Sequence, residues 1–394
     1  MSLVGRIMRP NARADISELF RGSRTNSGAY VTPDIAMRVS TVYACVRVLA
    51  ESVAQLPLLI YERRGDKRVR ARDYSLYPLL HDAPNSFQSS FEFREMMQGH
   101  LTLRGNAYAR IIRNRATGAV VEILPLHPDN VEVEEMDYKL AYKIRLLNGQ
   151  TEKVRQDQIF HLKGLSSDGF RGLSPITLAR EAIGLSIANE RYGAQLFGNG
   201  AKPGGLLKHP GKFSSKEVQE RVRDSWDAFT SGDNAGKTAV LEEGMDWVKV
   251  GMTAEDSQFL EARRFQVSEI ARIFRVPPML LQHDDKTSTY ASSEQFMLSF
   301  VIHTMTPWLV RWEQAIRMQL MSEKDRERYF SEFLMDGLLR GDIKSRYFSY
   351  ASAINNGWMS RNEARIKENL DPADGLDEFL RQANMIGGNN ASNN

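Results

Sequence analysis

Ala271-Arg272-Ile273-Phe274-Arg275-Val276-Pro277-Pro278 is the stretch at which this chain must turn. Two consecutive prolines cannot continue a helix, since each lacks a backbone donor and disfavours helical geometry in the residue before it. On the N-terminal side, Ala254 to Arg275 has a helical pattern. Gln258, Glu261, Arg264, Ser268, Arg272 and Arg275 form a polar stripe opposite Phe259, Val267, Ile270 and Phe274. Phe265 falls on the polar side and Arg263 among the apolar residues, so both faces are expected to be contacted. On the C-terminal side a polar run from Gln282 to Ser288 leads to Ser292, which with Gln295 has capping-box spacing. The helix opened there is expected to reach Met321, a span of about 45 Å, with a kink at Pro307.

Working outward, Ser174-Pro175 has the cap-plus-proline form of a helix start, and that helix runs to about Phe197. Its Leu178, Leu185 and Tyr192 recur at heptad spacing, with Ala182, Gly184, Ala188 and Gly193 small enough to let another helix approach. Between the two long helices lies a short α/β unit: strand Gly205 to Lys208, helix Ser215 to Phe229 and strand Thr238 to Val250. Farther upstream, Leu58 to His161 reads as mostly antiparallel β interrupted by one helix, Phe91 to Leu103. Ala116-Thr117-Gly118 and Asn148-Gly149 supply hairpin turns. Thr32-Pro33 starts a helix whose Ile35, Val39, Val42, Val46, Leu49, Val53 and Leu56 share one face until Pro57 ends it. Downstream come a strand, Tyr329 to Met335, and two helices, Ile343 to Asn355 and Arg361 to Asn369. The fold class is α+β.

Composition narrows the function. Of 394 residues 42% are hydrophobic and 26% charged, ordinary for a chain with a sizeable core. A net charge of +3 is too balanced for a protein that coats itself in nucleic acid, so any contact with DNA must be local. Cys45 is the single cysteine and lies beside the apolar face of its helix, where it reads as a small hydrophobe. A reducing compartment fits, and no signal peptide or membrane-spanning run is expected.

Catalytic signatures fail one by one. Gly232-Asp233-Asn234-Ala235-Gly236-Lys237-Thr238 imitates a phosphate-binding loop, yet Ser231 stands where its first glycine belongs. The order there is helix, loop, strand, the reverse of what phosphate binding requires. The seven histidines are scattered with none at i, i+4, so no metal site is expected. No Gly-x-Ser-x-Gly elbow occurs. The adjacent pairs Glu134-Glu135 and Asp284-Asp285 suit a solvated surface, and Arg340-Gly341-Asp342 reads as a helix-start turn. The chain is expected to have no catalytic residue, metal or cofactor.

Six segments, in order, resemble the portal proteins of tailed bacteriophages, the family typified by phage HK97. They are Ser40-Thr41-Val42-Tyr43-Ala44-Cys45-Val46 with Gln55-Leu56-Pro57; Leu103-Arg104-Gly105-Asn106-Ala107-Tyr108; Gly169-Phe170-Arg171-Gly172-Leu173-Ser174-Pro175-Ile176; Ile270 to Phe274 with Val276-Pro277-Pro278; Ser288 to Ser292 with Glu294-Gln295; and Leu339-Arg340-Gly341-Asp342 with Gly357 and Asn362-Glu363. The pattern departs at Arg275 and Gln282, where many members have glycine.

The resemblance implies a dodecameric ring around a channel for double-stranded DNA, assembled in the host cytoplasm and placed at the capsid vertex of the virion. It implies a mobile arm (1–28), a wing (29–173), a descending stem helix (174–198), a clip (199–251), a returning stem helix (252–275) and a tunnel loop (276–291). A kinked helix and wing strand (292–335), a helical crown (336–383) and a disordered tail (384–394) complete it. Gln282, His283, Asp284, Asp285, Lys286 and Thr287 would line the channel, and Arg264, Arg272 and Arg275 would face it from the stem. Lys208, Lys212, Lys216 and Asp227 would dock the large terminase subunit and then a head-tail adaptor. The major capsid protein would surround the ring, with no membrane contact. A packaging ATPase would need the phosphate loop that fails above. A vertex adaptor without a channel would predict neither the long kinked helix nor the polar loop between two helices.

Overall fold

A computed structural model describes residues 24–380 apart from 66, 137–138, 147, 199–204, 209, 212–214, 231–243, 250–253, 283–289, 336–342 and 369. The chain opens with α1 (Pro33–Ala36), where Thr32 Oγ1 accepts the Ile35 N–H at 3.2 Å, followed by α2 (Ser40–Ala54). One continuous helix was expected here. Instead Arg38 and Val39 donate to the Ile35 and Ala36 carbonyls, tighter i−3 bonds that divide it. The apolar face survives the break: Ala36, Val39, Val42, Val46, Leu49 and Val53 are all buried.

Next come β1 (Leu58–Arg64), β2 (Lys67–Arg70), α3 (Leu76–His81), α4 (Ser90–Arg104), β3 (Asn106–Arg113), β4 (Val120–Leu126), β5 (Val131–Met136), β6 (Lys139–Arg145), β7 (Thr151–Arg155) and β8 (Ile159–Lys163). Helix α3 corrects the reading of this region as β with a single helix; six residues are too few to show a period. Ser89 and Glu92 close a capping box on α4, and Gly105 ends it with φ +73°. The β3–β4 hairpin turns at Gly118 and the β6–β7 hairpin at Gly149, both at positive φ.

The second half holds α5 (Pro175–Leu178), α6 (Arg180–Gly198), β9 (Gly205–Lys208), α7 (Lys216–Thr230), β10 (Asp246–Lys249) and α8 (Ala254–Phe274). Then follow α9 (Tyr290–Phe300), α10 (Thr306–Gln319), α11 (Glu323–Arg328), β11 (Tyr329–Phe333), α12 (Ile343–Asn355) and α13 (Arg361–Lys367). Among the described residues every strand pairing is antiparallel, in the orders β11-β1-β2, β4-β3-β8, β5-β6-β7 and β10-β9. Strand β11 returns to the start of the fold, with Leu58 opposite Phe333.

The main core lies where α2, α4, α10 and β8 meet, around Met97, Leu101, Phe160, Trp312 and Ile316. Trp312 Nε1 donates to Gln98 Oε1 at 3.0 Å, which fixes α10 on α4 without leaving a buried donor unpaired. Arg94, also buried, donates to the Ala54 and Leu80 carbonyls at 2.8 and 3.0 Å and so ties the ends of α2 and α3. Cys45 is fully buried, and burial pushes its thiol up to about 12, so it packs rather than reacts.

The long helix differs from expectation at both its start and its middle. It begins at Tyr290, so Ser292 stands inside the first turn and not at the cap. Ahead of Pro307 the ladder widens into a π turn, Val301–Met305, in which the Thr306 N–H reaches back to the Val301 carbonyl. The missing proline donor is thus absorbed by an inserted residue. Thr306 Oγ1 donates to that same carbonyl at 2.9 Å.

Candidate functional site

The turn after α8 is built from the backbone upward. The Val276 N–H donates to the Ala271 carbonyl at 2.9 Å and the Arg275 N–H to that of Arg272 at 3.1 Å, the paired bonds of a Schellman stop. Such a stop requires a left-handed residue, and Arg275 supplies it with φ +56°. Val276-Pro277-Pro278 then leads into a 3-10 turn, Pro278–Leu281, closed by Gln282 at φ +55°. Among the described residues these are the only two non-glycine residues with positive φ, and they occupy the two positions where the resemblance predicts glycine. Thr304 Oγ1 in the π turn donates to the Arg275 carbonyl at 2.7 Å. The end of α8 is therefore bonded to the irregular turn of the long helix.

Helix α8 packs its Ile270, Ala271 and Phe274 into the core and against α2, as its apolar face predicts. Arg264, Arg272 and Arg275 are exposed, and so is Phe265 at 59%. Helix α6 runs beside α8 and is apolar on two sides. The single helix expected from Pro175 to Phe197 is broken at Ala179, whose φ −94° and ψ 9° leave the helical region, so Ile176 and Leu178 belong to α5. Ile176, Ala179 and Ile183 are buried, while Leu178 on α5 and Leu185 and Tyr192 on α6 are 56%, 47% and 54% exposed. Gly184 serves the chain's own N-terminal segment: a Cβ there would lie 2.5 Å from Thr25 Cγ2.

Two separate motifs of the sequence meet in space. A Cβ on Gly172 would lie 1.9 Å from the Gly105 carbonyl oxygen, and one on Gly105 would lie 2.2 Å from that of Leu173. Ser174 Oγ donates to the Leu103 carbonyl at 2.9 Å, sealing the contact. Behind it His161, fully buried, sits between Tyr142 Oη at 3.1 Å and Asn106 Oδ1 at 3.0 Å. An amide oxygen can only accept, so Nε2 carries the proton and Nδ1 takes the tyrosine hydroxyl. The Gln319 side chain, at the end of α10, pairs with both backbone groups of His161 at 2.6 and 2.9 Å. Nothing in the sequence flags this network, because a lone histidine in an alternating strand carries no spacing signal.

The remaining sequence-derived positions are dispersed. Lys208 and Lys216 are exposed at the end of β9 and the start of α7. Asp227 lies on α7, whereas Lys212 falls outside the described residues, as do His283, Asp284, Asp285, Lys286 and Thr287 and the imitation phosphate loop. Among the described residues no three His, Cys, Asp or Glu side chains converge as a metal site would need, and no helix is long and apolar enough to cross a membrane.

The architecture has relatives. The sequence profile described as "Phage portal protein" matches residues 40–369. The portal protein of Enterobacteria phage HK97 is 33% identical over 97% of this chain and 90% of its own length. The probable portal protein of Streptomyces phage phiC31 is 35% identical over 91% of this chain and 81% of its own. A subunit from the neck of a native gene transfer agent particle, computed with C12 symmetry, superposes with a TM-score of 0.62 at 24% identity, covering 92% of this chain and 99% of its own. With the family profile spanning the α2 motif through α13, and with the paired glycine motifs and the proline-stopped α8 in their places, this chain belongs to the phage portal protein family.

Proposed function

We propose that the chain is the subunit of a closed ring at the portal vertex of a virion, through whose axis double-stranded DNA passes during packaging and ejection. The observation that carries this reading is the pair of helices α6 and α8. The first, with the short α5 ahead of it, exposes Leu178 and Leu185, and the other presents Arg264, Arg272 and Arg275 to solvent. A cyclic ring joins unlike faces of neighbouring copies, which would cover Leu178 and Leu185. The arginines then line the axis and touch phosphate without reading bases, so binding is non-specific and salt-sensitive.

Residues 199–251 form the clip, with Lys208, Lys212, Lys216 and Asp227 docking the large terminase subunit and later a head-tail adaptor. Gln282 to Thr287 form the loop at the channel's narrowest part, aimed by the αL turns at Arg275 and Gln282 and by the Thr304 bond. The family is structural, and in this reading the chain does no bond chemistry and the docked motor supplies the energy for translocation. The test is a photo-crosslinker on Lys286→Cys; the buried Cys45 can remain, being sealed from the reagent. Crosslinks to packaged DNA support the reading. Normal packaging with no crosslinks overturns the loop's role, and a stable monomer by light scattering overturns the ring.

A further inference from the structure

The β1–β2 hairpin carries Arg63, Arg64, Lys67, Arg68 and Arg70, and Arg72 follows in the turn just after it, all within ten residues. β2 is the outer strand of the β11-β1-β2 sheet, and all four of its residues are exposed. In the register of the hairpin Arg63 stands opposite Arg68 and Arg64 opposite Lys67. Like charges directly across a strand pair destabilise it. Charges on an open edge do guard against edge-to-edge pairing, but mixed signs would serve that purpose as well.

Some of these cations are anchored. Arg64 and Arg328 hold the buried Glu62 between them. Arg68 pairs with Glu332 at 2.6 Å and lies over Tyr61, and Arg63 lies over Phe330, each 5.1 Å from the ring centre. Lys67, Arg70 and Arg72 have no acidic partner among the described residues. The result is a row of cations along one sheet edge, some fixed in place and some free to bind.

We infer that this hairpin is a second DNA-contact surface, outside the channel, that takes the phosphate backbone of duplex DNA without regard to sequence. Arg68 and Arg70 share one face of β2, where side chains recur every ~6.7 Å, close to the ~6.8 Å that two steps of one DNA strand cover; Lys67 stands on the opposite face beside Arg64. An acidic face of a second copy is the weaker partner. The carboxylate-rich strand of this chain, β5, has its Glu134 already held by Lys143 and Lys153 at 2.5 and 2.9 Å.

The inference does not rest on the channel, and the experiment separates the two. Covalently closed circular duplex DNA cannot thread a closed ring, so its binding to the assembled protein reports outer surfaces alone. The wild-type ring is expected to retain circles, with affinity falling as salt rises. The triple variant K67Q/R70Q/R72Q should weaken that binding at least tenfold near 0.1 M salt and lower the slope of log K against log salt by about 2–3. The triple variant R115Q/K139Q/R145Q removes equal charge from exposed positions elsewhere and should change binding far less. Ring size by light scattering should be unchanged in both. Failure to retain circles, equal loss in both variants, or collapse of the ring on K67Q/R70Q/R72Q would each overturn the assignment, while crosslinking at position 286 judges the channel independently.

Discussion

Asn106 and Gly172 lie edge to edge as two amides: Asn106 Nδ2 donates to the Gly172 carbonyl and the Gly172 N–H donates to Asn106 Oδ1, both at 2.7 Å. The same Oδ1 accepts from His161 Nε2 at 3.0 Å. One short side chain thus joins the start of β3, the loop before α5 and the buried histidine of β8.

Gly172→Ala should therefore be among the most damaging single changes. Its Cβ would meet backbone, which cannot swing aside, 1.9 Å from the Gly105 oxygen. We expect a loss of about 3 kcal/mol or more, beyond the usual overpacking range. Gly118→Ala, at positive φ (+72°) but with open space around it, should cost only about 1 kcal/mol. Urea unfolding midpoints compare the two; equal losses would mean that the close approach is not rigid.

Acid should weaken the fold through two histidines. Burial, then the Lys163 charge, pushes His161 down to about 3; burial, then His127 and Arg104, pushes His100 down to about 4. Unfolded, each imidazole takes up a proton near pH 6.5, while the folded forms refuse it until far lower pH. Their stabilising effect is complete above about pH 6.5 and is lost progressively as pH falls toward those depressed values. At pH 5 the loss is about 2 kcal/mol per histidine. His161→Gln should flatten the dependence of the unfolding midpoint between pH 7.5 and 5; an unchanged slope would refute the assignment.

At Arg275 and Gln282 glycine should outperform alanine. Both residues are left-handed, which costs an L-residue about 1–2 kcal/mol. Arg275→Gly should be more stable than Arg275→Ala by about 1 kcal/mol, the reverse of the order inside a helix. The same order is expected at position 282. Thermal unfolding of the four variants decides it.

Thr304→Val keeps the shape of the side chain but leaves the Arg275 carbonyl without its 2.7 Å donor. A loss of about 1–3 kcal/mol is expected, and Thr304→Ser should recover most of it. Faster amide exchange in the residues around Arg275, in the valine variant alone, would locate the effect at the end of α8.

The parts legible in the sequence are those with local signals. Pro277-Pro278 marks the end of α8, Thr32 and Ser174 mark helix starts, and Gly118 and Gly149 mark turns. The polar stripe of α8 likewise places Arg264, Arg272 and Arg275 on the surface, where they lie. Helix α3 is hidden because Leu76 to His81 spans less than two turns, and the break between α1 and α2 because the buried face runs on across it. Long-range pairings leave no local trace: Leu58 opposite Phe333, Gln319 clasping His161, and the joining of two glycine motifs that read as separate. The left-handed turn at Arg275 is hidden for a different reason, since arginine gives no sign of the conformation it is made to adopt.

The π turn at Val301–Met305 has a consequence for aim. Each residue of a helix advances it by about 1.5 Å and turns it by about 100°, so one surplus residue sets the phase of α9 separately from that of α10. Trp312 and Gln98 lock the second segment to the core, while the first shows Phe296 and Leu298, each about half exposed, to the outside. Removing the surplus would leave α10 in place and swing α9 through more than a quarter of a revolution. The inserted residue acts as a vernier: it sets the bearing of everything that enters α9 without disturbing what anchors it.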